Sequence, residues 1–143
     1  MDQMVKVSVI MLTYNRETLV GRAIESILAQ SMEDFEYIIV DNGSTDKSGE
    51  IAEEYAKKDA RIRVLHIPKS NIGTGRNAGL DAAKGEYVTF IDDDDTAEPD
   101  MLEFLYGKIK QDSYSVYENN LLTTLESGVK YTYYKSNYKD LLD

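Results

Sequence analysis

The chain has 143 residues, enough for one domain with a sizeable core, and an ordinary balance of 42% hydrophobic and 29% charged residues. A formal net charge of −10 argues against a broad basic surface for nucleic acid, and the lack of cysteine excludes disulfides, thiolate metal sites and a cysteine nucleophile. No apolar run approaches the roughly 20 residues of a membrane span, and Met1-Asp2-Gln3-Met4 does not begin a signal peptide, so a cytoplasmic location is expected.

Val5 to Leu12 reads as a first strand, almost continuously apolar after Ser8, which suits a strand covered on both faces. The polar turn Thr13-Tyr14-Asn15-Arg16 follows. Leu19, Val20, Ala23, Ile24, Ile27 and Leu28 then recur at helical spacing to about Gln30, with Asn15 a candidate cap. Phe35 to Val40 is a second strand, ending in the turn-forming cluster Asp41 to Asp46. The next helix carries Ile51, Ala52, Tyr55 and Ala56 on one face. Arg61 to Ile67 is a third strand, closed by Pro68. A loop from Lys69 to Gly75 leads to a helix from about Arg76 to Ala83, with Gly85 as its stop. Glu86 to Ile91 is a fourth strand that runs into four consecutive aspartates, Asp92 to Asp95. Glu98-Pro99 opens another helix with Met101, Leu102, Leu105 and Ile109 as its apolar stripe. Beyond Gln111 the pattern weakens; we expect a short helix over Glu118 to Glu126, a strand over Val129 to Tyr134 and a terminal helix over Asn137 to Asp143.

This alternation predicts an α/β fold, a doubly wound and mainly parallel sheet with helices on both faces and right-handed crossovers. Residues 1–110 would form the core and residues 111–143 a short extension. Ligands of such sheets bind outside the carboxyl ends of the strands. Those ends carry Thr13-Tyr14-Asn15, Asp41-Asn42-Gly43 and Asp92 to Asp95, so the polar residues gather along one edge.

Adjacent carboxylates repel, by roughly 4 kcal/mol per pair at 4 Å and an effective dielectric of 20. A divalent cation would relieve that repulsion. On an extended chain Asp92 and Asp94 would share one face, with Asp93 and Asp95 on the other, and a D-x-D spacing offers two hard oxygen ligands to Mg²⁺ or Mn²⁺. A solvated acidic loop is the plainer alternative. Asp41-Asn42-Gly43-Ser44 pairs acceptors with amide donors where a base or ribose could lie, and it also reads as a turn with a helix cap; Thr13-Tyr14-Asn15 has the same double reading. Asn71 to Asn77 contains G-x-G but not the third glycine of a dinucleotide fingerprint. Arg76, at the expected helix start, opposes the helix dipole unless its guanidinium meets a phosphate or a carboxylate. His66 stands alone inside a strand and is expected to be structural. A phosphorylation-receiving domain would want an acidic pair where Thr13-Tyr14-Asn15 stands, which disfavours that class.

Taken together, "VSVIMLTYNR", "ILAQSMEDFEYIIVDNGSTDKS", "NIGTGRNAGLDAAKGEYVTFIDDDD" and "EPDMLE" resemble, in order and spacing, the nucleotide-sugar-binding half of a family 2 glycosyltransferase of the GT-A, Rossmann-like fold. The matching stretches cover about residues 5 to 105. The resemblance implies transfer of a sugar from a nucleoside diphosphate, with a uridine diphosphate sugar the expected donor, to a saccharide or lipid-linked acceptor with inversion at the anomeric carbon. It implies that Thr13 and Tyr14 line the nucleoside pocket, that Asp41 and Asn42 read the base, that Arg76 serves the nucleotide, that Asp92 or Asp93 lies near the ribose, and that Asp94, with Asp92, holds Mg²⁺ or Mn²⁺. A peripheral position at a membrane and self-association are both compatible with it. Two residues depart from the family pattern: Leu12 replaces a proline, and Asn42 replaces a frequent second aspartate. About 50 residues follow the D-x-D, without a recognisable motif for the catalytic base. The alternative reading is therefore a nucleotide-sugar-binding module that needs another segment or chain for activity.

Overall fold

The computed structural model describes residues 5–112, 116–119 and 131–135. The chain order is β1 (Val7–Thr13), α1 (Val20–Leu28), β2 (Phe35–Asn42), α2 (Ser48–Lys58), β3 (Ile62–Ile67), α3 (Ile72–Ala82), β4 (Tyr87–Asp92), α4 (Met101–Asp112), β5 (Val116–Asn119) and β6 (Tyr131–Lys135). They form one six-stranded sheet in the order β3-β2-β1-β4-β6-β5. The first four strands are parallel, while β6 runs antiparallel to β4 and β5 antiparallel to β6. The doubly wound, mainly parallel α/β sheet expected from the sequence is thus observed. Among the described residues no helix is long and apolar enough to cross a membrane.

Both faces of the parallel strands are covered, which is why β1 and β2 are almost wholly buried. Strand alternation separates two cores. Val7, Val9 and Met11 of β1, with Tyr37 and Ile39 of β2, pack with Ile24 and Ile27 of α1 and Leu102 and Leu105 of α4. Ile10, Ile38, Val40 and Val88 pack on the opposite face with Leu80, against the alanine-rich side of α3. The register sets Thr13 beside Asp41 and Leu12 beside Asp92. The polar tips of three strands therefore end level with one another.

Three local expectations change. Helix α3 begins at Ile72, a turn earlier than expected, because Asn71 caps it: its side chain accepts the Thr74 N–H at 2.7 Å. The loop glycines Gly73 and Gly75 consequently lie inside the helix, and Arg76 stands in its second turn. Asn15 does not cap α1; the Arg16 carbonyl receives the Leu19 and Val20 N–H groups at 2.9 and 2.8 Å. Residues 118 and 119, expected to open a helix, belong to β5, and residues 120–126 and 137–143 lie outside the described residues. The strand expected over Val129 to Tyr134 corresponds to β6.

Helix α3 reaches its place through close contact. A Cβ at Gly79 would fall 2.5 Å from Cγ2 of the fully buried Ile10. Gly107, exposed on α4, would meet nothing within 4 Å. Opposite outcomes follow for one substitution. Gly79→Ala should lower stability, since overpacking costs about 1–3 kcal/mol against a helix-propensity gain of just under about 1 kcal/mol. Gly107→Ala should raise stability by about 0.5–1 kcal/mol. Urea denaturation of both variants beside the parent checks the pair.

Candidate functional site

From β1 to β3 the chain moves in one direction across the sheet; the crossover through α3 then returns it to β4, on the far side of β1. The crevice at the carboxyl ends of such a pair is where open α/β sheets take their ligands. A cleft of about 340 Å³ opens there. Its apolar lining comes from Ile10, Leu12, Ile72 and Phe90, and Tyr14 lies beside them. Arg16, Lys69 and Arg76 bring cations to it, while Asn42, Asp92, Asp93 and Asp94 bring acceptors. A chain of net charge −10 has thus collected three basic side chains at one cleft.

The strand ends at Asp92, and the Asp95 N–H turns back to the Asp92 carbonyl at 3.2 Å. The extended alternation expected for the four aspartates is therefore lost. Asp93 alone turns inward. It is 8% exposed and accepts the Thr13 hydroxyl at 2.9 Å and the Tyr14 N–H at 3.2 Å. Burial raises its pKa, while those hydrogen bonds and Arg16 oppose the rise. Asp92, Asp94 and Asp95 instead bring one carboxylate oxygen each within 4.8 Å of one another. Burial, then repulsion by Asp94 and Asp92, pushes the Asp95 carboxyl up to about 6 against the pull of Arg22. Guanidinium groups surround the run: Arg16 lies 3.4 Å from Asp93 and 3.9 Å from Asp94, and Arg76 lies 3.8 Å from Asp92. Arg22 donates to the Asp94 carbonyl at 3.0 Å.

The structure divides the expected nucleoside residues. Tyr14, Asn42, Arg76, Asp92, Asp93 and Asp94 all line the cleft. Thr13 does not; it is fully buried and supports Asp93 from beneath. Asp41 belongs to the other face of β2, as alternation requires when Asn42 faces α3. Its carboxylate receives the Ser44 N–H at 3.1 Å and pairs with Nδ1 of His66 at 2.9 Å. His66 is therefore not without partners, since its Nε2 also approaches Glu53 at 3.5 Å. The missed signal was strand pairing: β2 and β3 set Asp41 opposite His66, a relation that no local spacing discloses.

The turns that carry these residues are tied together by side chains. Asn15 has φ 50°, in the left-handed region that asparagine tolerates. Its Oδ1 accepts the Thr45 and Asp46 N–H groups at 2.8 and 3.3 Å. The Arg16 N–H donates to the Ser48 hydroxyl at 2.7 Å. Lys69 places its ammonium 4.0 Å from the Tyr14 ring centroid. Arg16, Lys69 and Asp95 were not among the residues expected from sequence. The arginine stands within the quoted "TYNR", but its role depends on the loop that aims it.

The profile of the family described as Glycosyl transferase family 2 matches residues 8–138. The chain belongs to glycosyltransferase family 2. It is 42% identical over 110 residues to the uncharacterized glycosyltransferase EpsJ of Bacillus subtilis strain 168, a match covering 77% of this chain and 32% of that protein. Among solved structures it superposes on S. aureus TarS 1-349 in complex with UDP-GlcNAc with a TM-score of 0.80 at 26% identity, covering 95% of this chain and 47% of the other. The mannosyltransferase PcManGT from Pyrobaculum calidifontis, in complex with GDP-Man and Mn²⁺, shares the fold with a TM-score of 0.78 at 17% identity, covering 97% of this chain and 47% of that one. The chain thus spans from about a third to just under half of the length of these relatives.

For a member of this family the acidic turn is the natural place to test for a divalent ion. The three clustered carboxylates offer only oxygen donors, the set that Mg²⁺ and Mn²⁺ prefer, and their mutual repulsion is what a cation would remove. The residues fit the ion. Asp94→Asn should leave metal-free melting unchanged or raised, because it removes one of the repelling charges, yet abolish stabilisation by added Mn²⁺; differential scanning fluorimetry with and without the ion checks both halves. His66 supplies a pH-dependent counterpart. Its hydrogen bond to Asp41, above all, raises its pKa over the ordinary value of 6.5. Its charged form therefore stabilises the fold below about pH 6.5, and that contribution fades as pH rises through the folded value. The stability difference between the parent and His66→Gln should accordingly shrink from pH 6 to pH 8, as read by urea titration.

Proposed function

We propose that the cleft between β1 and β4 holds the nucleoside diphosphate of a sugar donor, and that the family's chemistry here is metal-assisted glycosyl transfer to an acceptor hydroxyl. The observation that carries this reading is the juxtaposition of Arg16 and Arg76 with Asp92, Asp93 and Asp94 in one cleft. Anion-binding groups and cation-binding groups meet there, as a metal–diphosphate ligand demands. The UDP-GlcNAc complex of TarS supports a uridine diphosphate donor, and the Mn²⁺ complex of PcManGT is in keeping with the ion.

In this reading Tyr14 flanks the base, and the guanidinium of Arg76, 5.3 Å from the Phe90 ring, meets phosphate oxygens. Arg16 faces the same charge from the turn after β1. Asp94 and Asp92, with Asp95, would hold the divalent ion, which supplies Lewis-acid neutralisation of the departing diphosphate. Thr13 keeps Asp93 oriented toward the donor. The acceptor oxygen forms a bond to the anomeric carbon from the face opposite the diphosphate, inverting it. The bond from that carbon to the diphosphate oxygen breaks, its electron pair stays with the diphosphate, and the hydroxyl proton passes to a general base. A saccharide or a lipid-linked acceptor would supply that hydroxyl.

The share of each relative that the chain spans favours a second reading, in which this unit binds the donor and another segment or chain completes the acceptor side. Donor hydrolysis or transfer by the pure chain, lost in Asp94→Ala, would exclude it. The shared donor site is tested by calorimetry with UDP and Mn²⁺. Binding should appear in the parent and weaken by about 10- to 100-fold in Arg76→Ala, the loss of a charge-assisted hydrogen bond. Asp94→Ala should remove its dependence on Mn²⁺. A parent that binds no nucleoside diphosphate with metal present would overturn the proposal.

A further inference from the structure

Asn42 stands at the end of β2, lines the cleft and is 1% exposed. Its side chain is engaged with one residue of the next crossover. Nδ2 donates to the Ser70 carbonyl at 2.9 Å, and Oδ1 accepts both the Ser70 N–H and the Ser70 hydroxyl at 2.9 Å. The amide cannot be flipped, because the Ser70 N–H demands an acceptor and the Ser70 carbonyl demands a donor. The backbone N–H fixes Oδ1 as its acceptor, and the Ser70 hydroxyl, which also lies 3.4 Å from the Asn71 carbonyl, crowds the same oxygen. A buried carbonyl oxygen held in this way is poorly placed to accept a ring N–H of a base.

The same contact fixes what lies on either side of Ser70. Lys69, before it, carries the ammonium set over the Tyr14 ring. Asn71, after it, caps α3 through the Thr74 N–H, and Arg76 stands one turn further on. A second, independent contact holds the same segment: Gly43, at φ 73°, lies so close that a Cβ there would fall 2.6 Å from the Lys69 nitrogen. Backbone meets backbone at that point, and the Asn42 amide sits beside it as a lock.

We propose that Asn42 is a positioning residue of the donor pocket, which holds the Lys69–Asn71 segment and through it the Arg76 end of α3, and that its Oδ1 does not accept the ring N–H of a base. This rests on the donor-site reading above. The inference also explains why position 42 carries an amide where the family often has a carboxylate. An aspartate here would keep the two acceptor contacts but turn an oxygen against the Ser70 carbonyl, leaving a buried lone-pair repulsion in place of a hydrogen bond. Recognition of a ring N–H then has to come from groups other than the Asn42 oxygen, and bases that differ in their ring N–H should not be separated by it.

Two measurements test it in the parent, Asn42→Ala, Asn42→Asp and the milder Ser70→Ala. Hydrogen–deuterium exchange on the metal- and nucleotide-free proteins should show faster exchange over residues 69–76 in both Asn42 variants, a smaller effect in Ser70→Ala, and unchanged protection in β1. Calorimetry with Mn²⁺ should show UDP and CDP weakened by Asn42→Ala by the same factor, about tenfold. Uracil presents a ring N–H where cytosine presents an acceptor, so a loss confined to UDP would make Asn42 a base reader and overturn the inference. Unchanged exchange over 69–76 would overturn it as well. A parent that binds neither nucleotide would bring down the donor-site reading itself; the exchange result, read without ligand, separates that failure from failure of the strut.

Discussion

The accumulation of like charge at the end of a buried strand is the constraint around which this molecule is arranged. Four adjacent carboxylates cannot all share one environment at the tip of β4. The chain separates them: a turn sends Asp93 inward to a hydroxyl and an amide, leaves Asp92 and Asp94 exposed and Asp95 half-buried, and sets three arginines beside the run. Each arginine comes from a different local setting: Arg16 from the turn after β1, Arg22 from the body of α1 and Arg76 from α3. The neutralisation of one hexapeptide, "FIDDDD", thus depends on the whole parallel core, which sets the tips of β1 and β4 side by side.

The same core decides which residues can serve the cleft. Side-chain alternation is rigid in a strand covered on both faces, so a neighbouring pair such as Asp41 and Asn42 must divide between the two sides of the sheet. Asn42 goes to the cleft and Asp41 to the α2 side, where it links a turn amide to a strand histidine. Thr13 and Tyr14 divide in the same way, one as a buried support and the other as a wall. Function at this edge is paired with structure one residue away, and a substitution at either member will be felt by its neighbour.

Much of this was legible in the residues. Apolar continuity over Val9 to Leu12 and Tyr37 to Val40 points to two-sided burial, helical spacing to α1, α2 and α4, and turn chemistry at each strand end to the ligand edge. The true start of α3 is hard to read from the residues because its first turn, Ile72-Gly73-Thr74-Gly75, has poor helix propensity; a capping asparagine and the close fit of Gly75 against Leu12 override it. The partners of His66 and the grouping of Asp95 with Asp92 and Asp94 were hidden for another reason. Both arise from contacts or turns that depend on geometry beyond the pattern of the segment itself. The charge balance of the site was equally nonlocal, since Arg16 and Asp94 are neighbours only in the folded chain.

Arg63 and His66 interrupt the apolar run of β3, and Arg61 stands just before it; together they mark a border. β3 is the outermost strand on its side of the sheet, and among the described residues nothing pairs with its far edge. Arg63 is tethered to Glu36 and to the Ala82 carbonyl, and Arg61 is clamped to Asp59, so the cationic side chains along this margin are held in place rather than left to fold away. An incoming β-strand from another molecule would have to strip water from those charges before it could form a ladder. Charged side chains of this kind along an open edge act against ladder formation with a second chain.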